Sequence, residues 1–329
     1  MNNEVPGSQS PDRPVLVCID GSEIALRALD RAIEEARVRD TRVRLIGVYP
    51  VVGVGDPGLE QRFREAVTAE NTEHLNAAQA RAGAAGTDVD VVAGEGDAAK
   101  AIIQAAKDAC LVVMGKRGKG GALRGRLGSV SAAVAAHSPV PVIVVPPQAT
   151  DDSSDVESAR EAAHYKDIHI SGHGTSEKKQ TPASEIDFTG SVVVGVDAAG
   201  ARNPAVARAV DYAQAHGCAL SLVSVNGALS GTPDWFQDQY NQTYYFDESL
   251  RKLNQIAEEL AQQNPELTVT HHGFLGRPGR VLVQATRTAD LVVVGSRGIG
   301  GFTGLLLGSV SQSVLGTAAG PVMVVPNRN

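Results

Sequence analysis

Leu111-Val-Val-Met-Gly-Lys-Arg-Gly118, followed after nine residues by Gly128-Ser-Val-Ser131, decides the fold of this chain of 329 residues. The pattern returns as Leu291-Val-Val-Val-Gly-Ser-Arg-Gly298, nine residues, and Gly308-Ser-Val-Ser311. Each copy opens with a short, β-branched, unalternating apolar run, the signature of a strand buried on both faces of a parallel sheet. Each then passes through glycines that let the backbone approach a ligand closely, and closes at a helix N-terminus, where free N–H groups and the helix dipole favour an anion. One such loop is also what an ordinary strand-to-helix turn looks like. Two copies with the same nine-residue gap point to loops whose two ends grip one object, with a phosphate group as the expected guest. The Walker pattern does not fit, since no Gly-Lys-Ser/Thr follows at its spacing.

Outward from the first loop, Pro14-Val-Leu-Val-Cys-Ile-Asp20 reads as a buried strand ending on a carboxylate. Ser22 caps a predicted helix from Glu23 to Arg39. Val43 to Val48 is the second strand, Leu59 to Ala82 a long helix, Val89 to Val92 the third strand and Asp97 to Asp108 the third helix. Leu111 to Met114, a helix from Ser129 to His137 and a strand from Val140 to Val145 complete a βαβαβαβαβ unit. Such alternation implies an α/β fold with a five-stranded parallel, doubly wound (HUP/Rossmann-like) sheet in the order 3-2-1-4-5. Ligands then sit beyond the carboxyl ends of the strands at the switch between strands one and four, where Asp20 and the Gly115 loop meet. The second half repeats the first. Asp197 matches Asp20 and Val225 matches Val48 at an offset of 177, and from Gly115 and Gly295 onward the offset is 180. This is a duplicated domain: 13–147, a linker 148–189, and 190–327. Where Gly21-Ser22 follows Asp20, Ala198-Ala199 follows Asp197, so the second copy's first helix is predicted to start at Pro204 with Asn203 as its cap.

The formal net charge of −7 is concentrated between the repeats, where residues 147–190 hold nine acidic against four basic residues, a net of −5. The repeats themselves are near neutral, which argues against a nucleic-acid surface. The intervening stretch is acidic and Ser-rich and reads as a solvated, partly helical linker. Its His164, His169 and His173 lack the supporting ligand spacing of a metal site. Cys18, Cys110 and Cys218 are widely spaced and read as small buried thiols. No apolar run approaches a membrane span, and the polar N-terminus lacks a signal h-region, so a cytoplasmic location without membrane partners is expected.

Asp at the end of strand one, Gly-x2-Gly-x9-Gly-Ser after strand four and a closing Pro-Val-x-Val-Val strand together resemble the ATP-binding subgroup of the universal stress protein family, in tandem form. The resemblance covers residues 13 to 147 and 189 to 326. It implies one ATP per repeat, with Mg²⁺ or Mn²⁺, and no established catalytic residues. Carried over, it places adenine near Val48 and Val225, and sets Asp20 and Asp197 against the nucleoside or the metal-bridged phosphates, although either carboxylate could instead serve a turn or cap. Gly115, Arg117, Gly118, Gly128, Ser129, Val130 and Ser131 would wrap the triphosphate in the first half. Gly295, Arg297, Gly298, Gly308, Ser309, Val310 and Ser311 would do so in the second. The first loop carries Lys116, Arg117, Lys119, Arg124 and Arg126. The second keeps only Arg297 and has Phe302, Leu305, Leu306 and Leu307, so steeper salt dependence is expected at the first site.

The function this implies is a nucleotide-dependent regulatory switch in a stress response. The alternative is a slow ATPase or a nucleotidyl- or phosphotransferase, against which stands the lack of an evident base in either loop. The closing strands, Pro141 to Val145 and Pro321 to Val325, are apolar and unguarded, so pairing through them is expected, within the chain or as a homodimer.

Overall fold

The computed structural model describes residues 13–51, 53, 55–118, 127–147, 168–171, 179–182, 186–197, 203–226, 239–297 and 307–327. The chain forms two compact units that divide between Val145 and Pro146.

The first unit contains β1 (Val15–Cys18), α1 (Glu23–Val38), β2 (Val43–Tyr49), α2 (Pro57–Ala84), β3 (Val89–Glu95), α3 (Ala98–Ala105), β4 (Leu111–Gly115), α4 (Ser129–His137) and β5 (Val142–Val145). All four pairings are parallel and give the order β3-β2-β1-β4-β5. Val15, Leu16 and Val17 lie opposite Leu111, Val112 and Val113, so strands one and four are neighbours as the alternation implied. Helix α1 packs on α2, and α3 on α4. That is the two-faced winding that right-handed crossovers dictate. The central strands are buried, with Leu16, Leu45, Leu111 and Ile143 at 0–2% exposure, each worth about 1.5–3 kcal/mol of apolar burial. Ala25, Ala28, Ala32 and Ala36 form the inner face of α1. Their short side chains let the helix lie close on the sheet.

Start signals are local and strong. Ser22, Asp56 and Asp97 each accept a backbone N–H in the first turn of their helix, from Ala25 at 3.2 Å, Leu59 at 2.8 Å and Lys100 at 3.0 Å. Such caps are each worth about 1 kcal/mol.

The second unit holds β6 (Ile168–Ser171), β7 (Lys179–Pro182), β8 (Ser191–Gly195), α5 (Pro204–His216), β9 (Ala219–Asn226), α6 (Gln239–Gln263), β10 (Val269–Leu275), α7 (Pro278–Ala285), β11 (Leu291–Gly295), α8 (Ser309–Thr317) and β12 (Val322–Val325). Strands β10, β9, β8, β11 and β12 repeat the parallel order of the first unit. The start of α5 follows the sequence expectation, with Asn203 accepting from Ala205 N–H at 3.0 Å and Pro204 in the first turn.

The stretch 148–189 differs from the solvated, partly helical linker expected of it. It supplies β6 and β7, an antiparallel hairpin whose first strand pairs antiparallel with β10 at Gly273–Leu275. The free N–H and C=O groups on the edge of β10 provide the pairing. That partner is more than a hundred residues away, and nothing in the local composition announces it. His169 lies on β6, while His164 and His173 lie outside the described residues.

Cys18, Cys110 and Cys218 are each only partly buried, less so than the buried thiols expected of them. Burial first, and the Asp20 charge second, push the Cys18 thiol up to about 12, and burial also raises Cys110. Both are neutral thiols near pH 7, and a neutral thiol is a poor nucleophile. No helix among the described residues is long and apolar enough to cross a membrane.

Candidate functional site

In each unit the parallel strands end together, and the site is built from the end of the first strand, the loop after the fourth, and the helix that follows. Gly128 is the N-cap of α4, with φ −66° and ψ 151°, and no side chain caps this helix. Gly308 heads α8 with φ −65° and ψ 154°, again without a side-chain cap. Helices α1, α2, α3 and α5 are capped by side chains, whereas α7, which follows Arg277, is not; α4 and α8 differ from it in starting at a glycine. The first-turn N–H groups of an α-helix have no intrahelical acceptor. At Ser129–Ser131 and Ser309–Ser311 the fold therefore leaves donors aimed beyond the strand ends, with a helix dipole behind them.

The same bonds fix both loops. Gly128 N–H donates to Lys116 C=O at 3.0 Å, and Gly308 N–H to Ser296 C=O at 2.8 Å. Lys116 N–H and Ser296 N–H each donate to the last residue of the closing strand, Val145 and Val325, at 2.8 Å. Ser131 Oγ donates to Gly115 C=O at 2.9 Å, and Ser311 Oγ to Gly295 C=O at 2.6 Å. Ser131 and Ser311 are each 3% exposed. Their hydroxyl protons thus lock helix to strand, which the sequence reading, casting them as phosphate contacts, did not foresee. Ser129 and Ser309 are exposed, Val130 and Val310 partly so.

Two glycines of the first loop make close approaches. A Cβ on Gly115 would stand 2.5 Å from Ile24 Cγ2 of α1 and 3.1 Å from Arg117 C=O. A Cβ on Gly118 would run into Asp20 Oδ2, with Asp20 Cγ at 3.3 Å. The structure thereby brings Asp20, at the end of β1, against the glycine loop after β4. Asp20 is exposed, and its Oδ1 accepts from Ser22 N–H at 3.0 Å and Ser22 Oγ at 2.6 Å. Arg117 is half-buried and Gly118 exposed beside it. Lys116, one of the expected basic residues, is only 5% exposed.

Asp197 has the same place in the second unit but a different holder. Asn203, 8% exposed, caps α5 through Oδ1, and its Nδ2 donates to Asp197 Oδ1 at 3.4 Å. One amide thus does the work of the missing Ser-22-type hydroxyl from six residues downstream. Arg297 C=O accepts from Asn327 Nδ2 at 2.6 Å. Val48 lies opposite Gly94 and Val225 opposite Phe274, each near the end of its strand. Gly298, Ala198, Ala199, Lys119, Arg124, Arg126, Phe302, Leu305 and Leu306 lie outside the described residues.

Two residues escaped the sequence reading. His74 of α2 lies against Gly21, whose φ of 77° only glycine adopts without strain, and a Cβ there would meet the imidazole Cδ2 at 2.5 Å. The signal available was Gly21 itself, directly after Asp20. The other is Asn226, at the end of β9.

The model of the universal stress protein family matches this chain twice, over residues 13–146 and 189–326. The chain belongs to the universal stress protein family. A universal stress protein of Mycolicibacterium smegmatis is 30% identical over 328 residues, covering 95% of this chain and 97% of the relative. One from Mycobacterium tuberculosis is 27% identical, with 96% of each chain covered. A universal stress protein of Archaeoglobus fulgidus, solved as a crystal structure, superposes with a TM-score of 0.62 at 21% identity, covering 97% of this chain and 99% of that one. At that identity the likeness is one of fold. Full-length coverage shows that the tandem arrangement of two universal stress protein domains is shared with these relatives.

Proposed function

We propose that each domain binds one ATP at the carboxyl ends of its strands, and that nucleotide occupancy makes the protein a regulatory switch in a stress response. One observation carries this reading: two helices, and the same two in the duplicated order, begin at a glycine with no side-chain cap, behind loops pinned by the same three bonds. Uncapped N–H groups are costly unless water or a ligand accepts from them. A triphosphate supplies acceptors and the negative charge that the dipole favours.

The remaining parts suit the same guest. Asp20 and Asp197 are exposed carboxylates beside the loops, suited to the sugar hydroxyls or to Mg²⁺ or Mn²⁺. Magnesium needs only one or two protein carboxylates when phosphates supply the rest of its shell. Ser22 holds Asp20 through Oδ1, and Oδ2 lies on the Gly118 side of the carboxylate, where the loop would bring a cation. Val48 and Val225 would border adenine, and Arg117 and Arg297 would meet phosphate. Pairing through the closing strands β5 and β12, within the chain or in a homodimer, is the route by which occupancy would be passed on.

Amide hydrogen exchange tests the carrying observation. Saturating Mg·ATP is expected to slow exchange at Ser129–Ser131 and Ser309–Ser311 more than at the side-chain-capped first turn of α3. Exchange unchanged at both motif helices would overturn the reading.

A further inference from the structure

The end of β9 holds a donor that the fold does not use. Asn226 Oδ1 accepts from Ser249 Oγ of α6 at 3.1 Å, while Asn226 Nδ2 is buried without a hydrogen-bond partner among the described residues. Proteins seldom leave a buried amide donor unmatched, because its desolvation then goes uncompensated. Asn226 stands one residue beyond Val225. In the β8–β9 register Gly195 lies opposite Val223, which sets Asp197 level with Val225 and Asn226 one step further toward the ligand end. The serine hydroxyl engages the oxygen and so leaves the NH₂ as the group still to be matched. The oxygen keeps a second lone pair.

We propose that Asn226 reads the base in the second site and selects adenine. Nδ2 donates to a ring nitrogen of the base, and Oδ1 accepts from the 6-amino group through its remaining lone pair. This is the two-point pairing by which a carboxamide matches an adenine edge. Guanine and hypoxanthine carry an oxygen at that position, which would face Oδ1 with no hydrogen between them. In the first domain the same place is held by Tyr49, as the backbone shows: Gly96 N–H donates to Tyr49 C=O at 2.9 Å, and Gly276 N–H to Asn226 C=O at 3.0 Å. A phenol ring offers a stacking face, which tolerates any base. The two sites of one chain would therefore differ in base selectivity, the second strict and the first permissive.

The inference rests on the nucleotide reading, and one experiment separates the two. The full chain carrying Gly118→Ala, which disables the first site, is titrated with ATP and with ITP. A preference for ATP of roughly tenfold or more is expected. Asn226→Asp keeps the acceptor for Ser249 and replaces the donor by oxygen, so it should lower ATP affinity and bring the ratio near one. Asn226→Ala should do the same, which guards against a fold defect peculiar to the buried acid. An unchanged ATP-to-ITP ratio in a variant that still binds ATP would overturn the role of Asn226 and leave the nucleotide reading standing. A parent chain that binds neither nucleotide would overturn both.

Discussion

Replacing Gly118 by Ala separates a binding role for the first glycine loop from a structural one. A methyl at this position meets Asp20 Oδ2, whereas Asp20 Cγ stays 3.3 Å away, so the conflict is with the tip of one side chain. Gly118 is not among the glycines with positive φ, and the alanine backbone is not strained. Rotating the Asp20 carboxylate by some 30° relieves the overlap at about 0.5–1.5 kcal/mol. The rotation also weakens the two bonds from Ser22 to Oδ1, both exposed. The total cost to folding is then about 1 kcal/mol, which for a unit of this size moves its melting temperature by about 2–4 °C. Binding is hit harder, because the methyl and the turned carboxylate occupy the side of the loop on which the ligand would lie. We expect ATP affinity in the first domain to fall at least tenfold, about 1.4 kcal/mol. Calorimetric titration with Mg·ATP reads this directly, with the second domain as internal reference. Retention of two equally tight sites would refute the reasoning. Loss of both sites together with unfolding would show Gly118 to be structural.

Three further outcomes follow from the geometry. Ser131→Ala and Ser311→Ala leave a buried and a part-buried strand carbonyl, respectively, without the serine donor, and chemical denaturation should show losses of roughly 1–3 kcal/mol, the larger for Ser131→Ala, against under about 0.5 kcal/mol for exposed Ser129→Ala. Asn203→Ala removes the cap of α5, about 1 kcal/mol, and the amide bond to Asp197, whereas Asn203→Ser should restore the cap without reaching Asp197. Recovery of stability without recovery of second-site affinity would identify the amide as the holder of Asp197. Burial works to raise the Asp90 carboxyl, but hydrogen bonds and charge from Arg44, then Arg42, outweigh it and hold it below its ordinary value. A lowered carboxyl contributes stability that is present above the unfolded value of about 3.9 and is lost as pH falls through the folded one. With the side chain 37% exposed, screening limits the effect to about 1 kcal/mol or less. Asp90→Asn should flatten the acid limb of the stability curve below about pH 4, and an identical limb in the variant would contradict the assignment.

The sheet order, the helix starts and the meeting of Asp20 with the Gly115 loop were legible because their signals are local. Apolar runs mark buried strands, and Ser22, Asp97 and Asn203 sit where caps must. The duplication doubled each signal. Less was legible where a residue's partner is remote or its chemistry ambiguous. The β6–β7 hairpin is polar and acquires its pairing from β10. Ser131 and Ser311 fit a phosphate contact and a strand tie equally well by residue type, and only the bond to the Gly115 or Gly295 carbonyl distinguishes the two. Asn203 was legible as a cap but not as the partner of Asp197, which depends on where the chain returns after Ala198-Ala199. His74 and Asn226 lie on elements whose packing no periodicity reveals.

Nucleotide content tests the two sites most directly. The chain, freshly purified, is denatured, and the released nucleotide is identified and counted in the wild type, Gly118→Ala and Gly298→Ala. Two ATP per chain, falling by one in each variant, is the predicted result. No released nucleotide, together with no binding on titration with Mg·ATP, would contradict it and leave both glycine loops as structural turns.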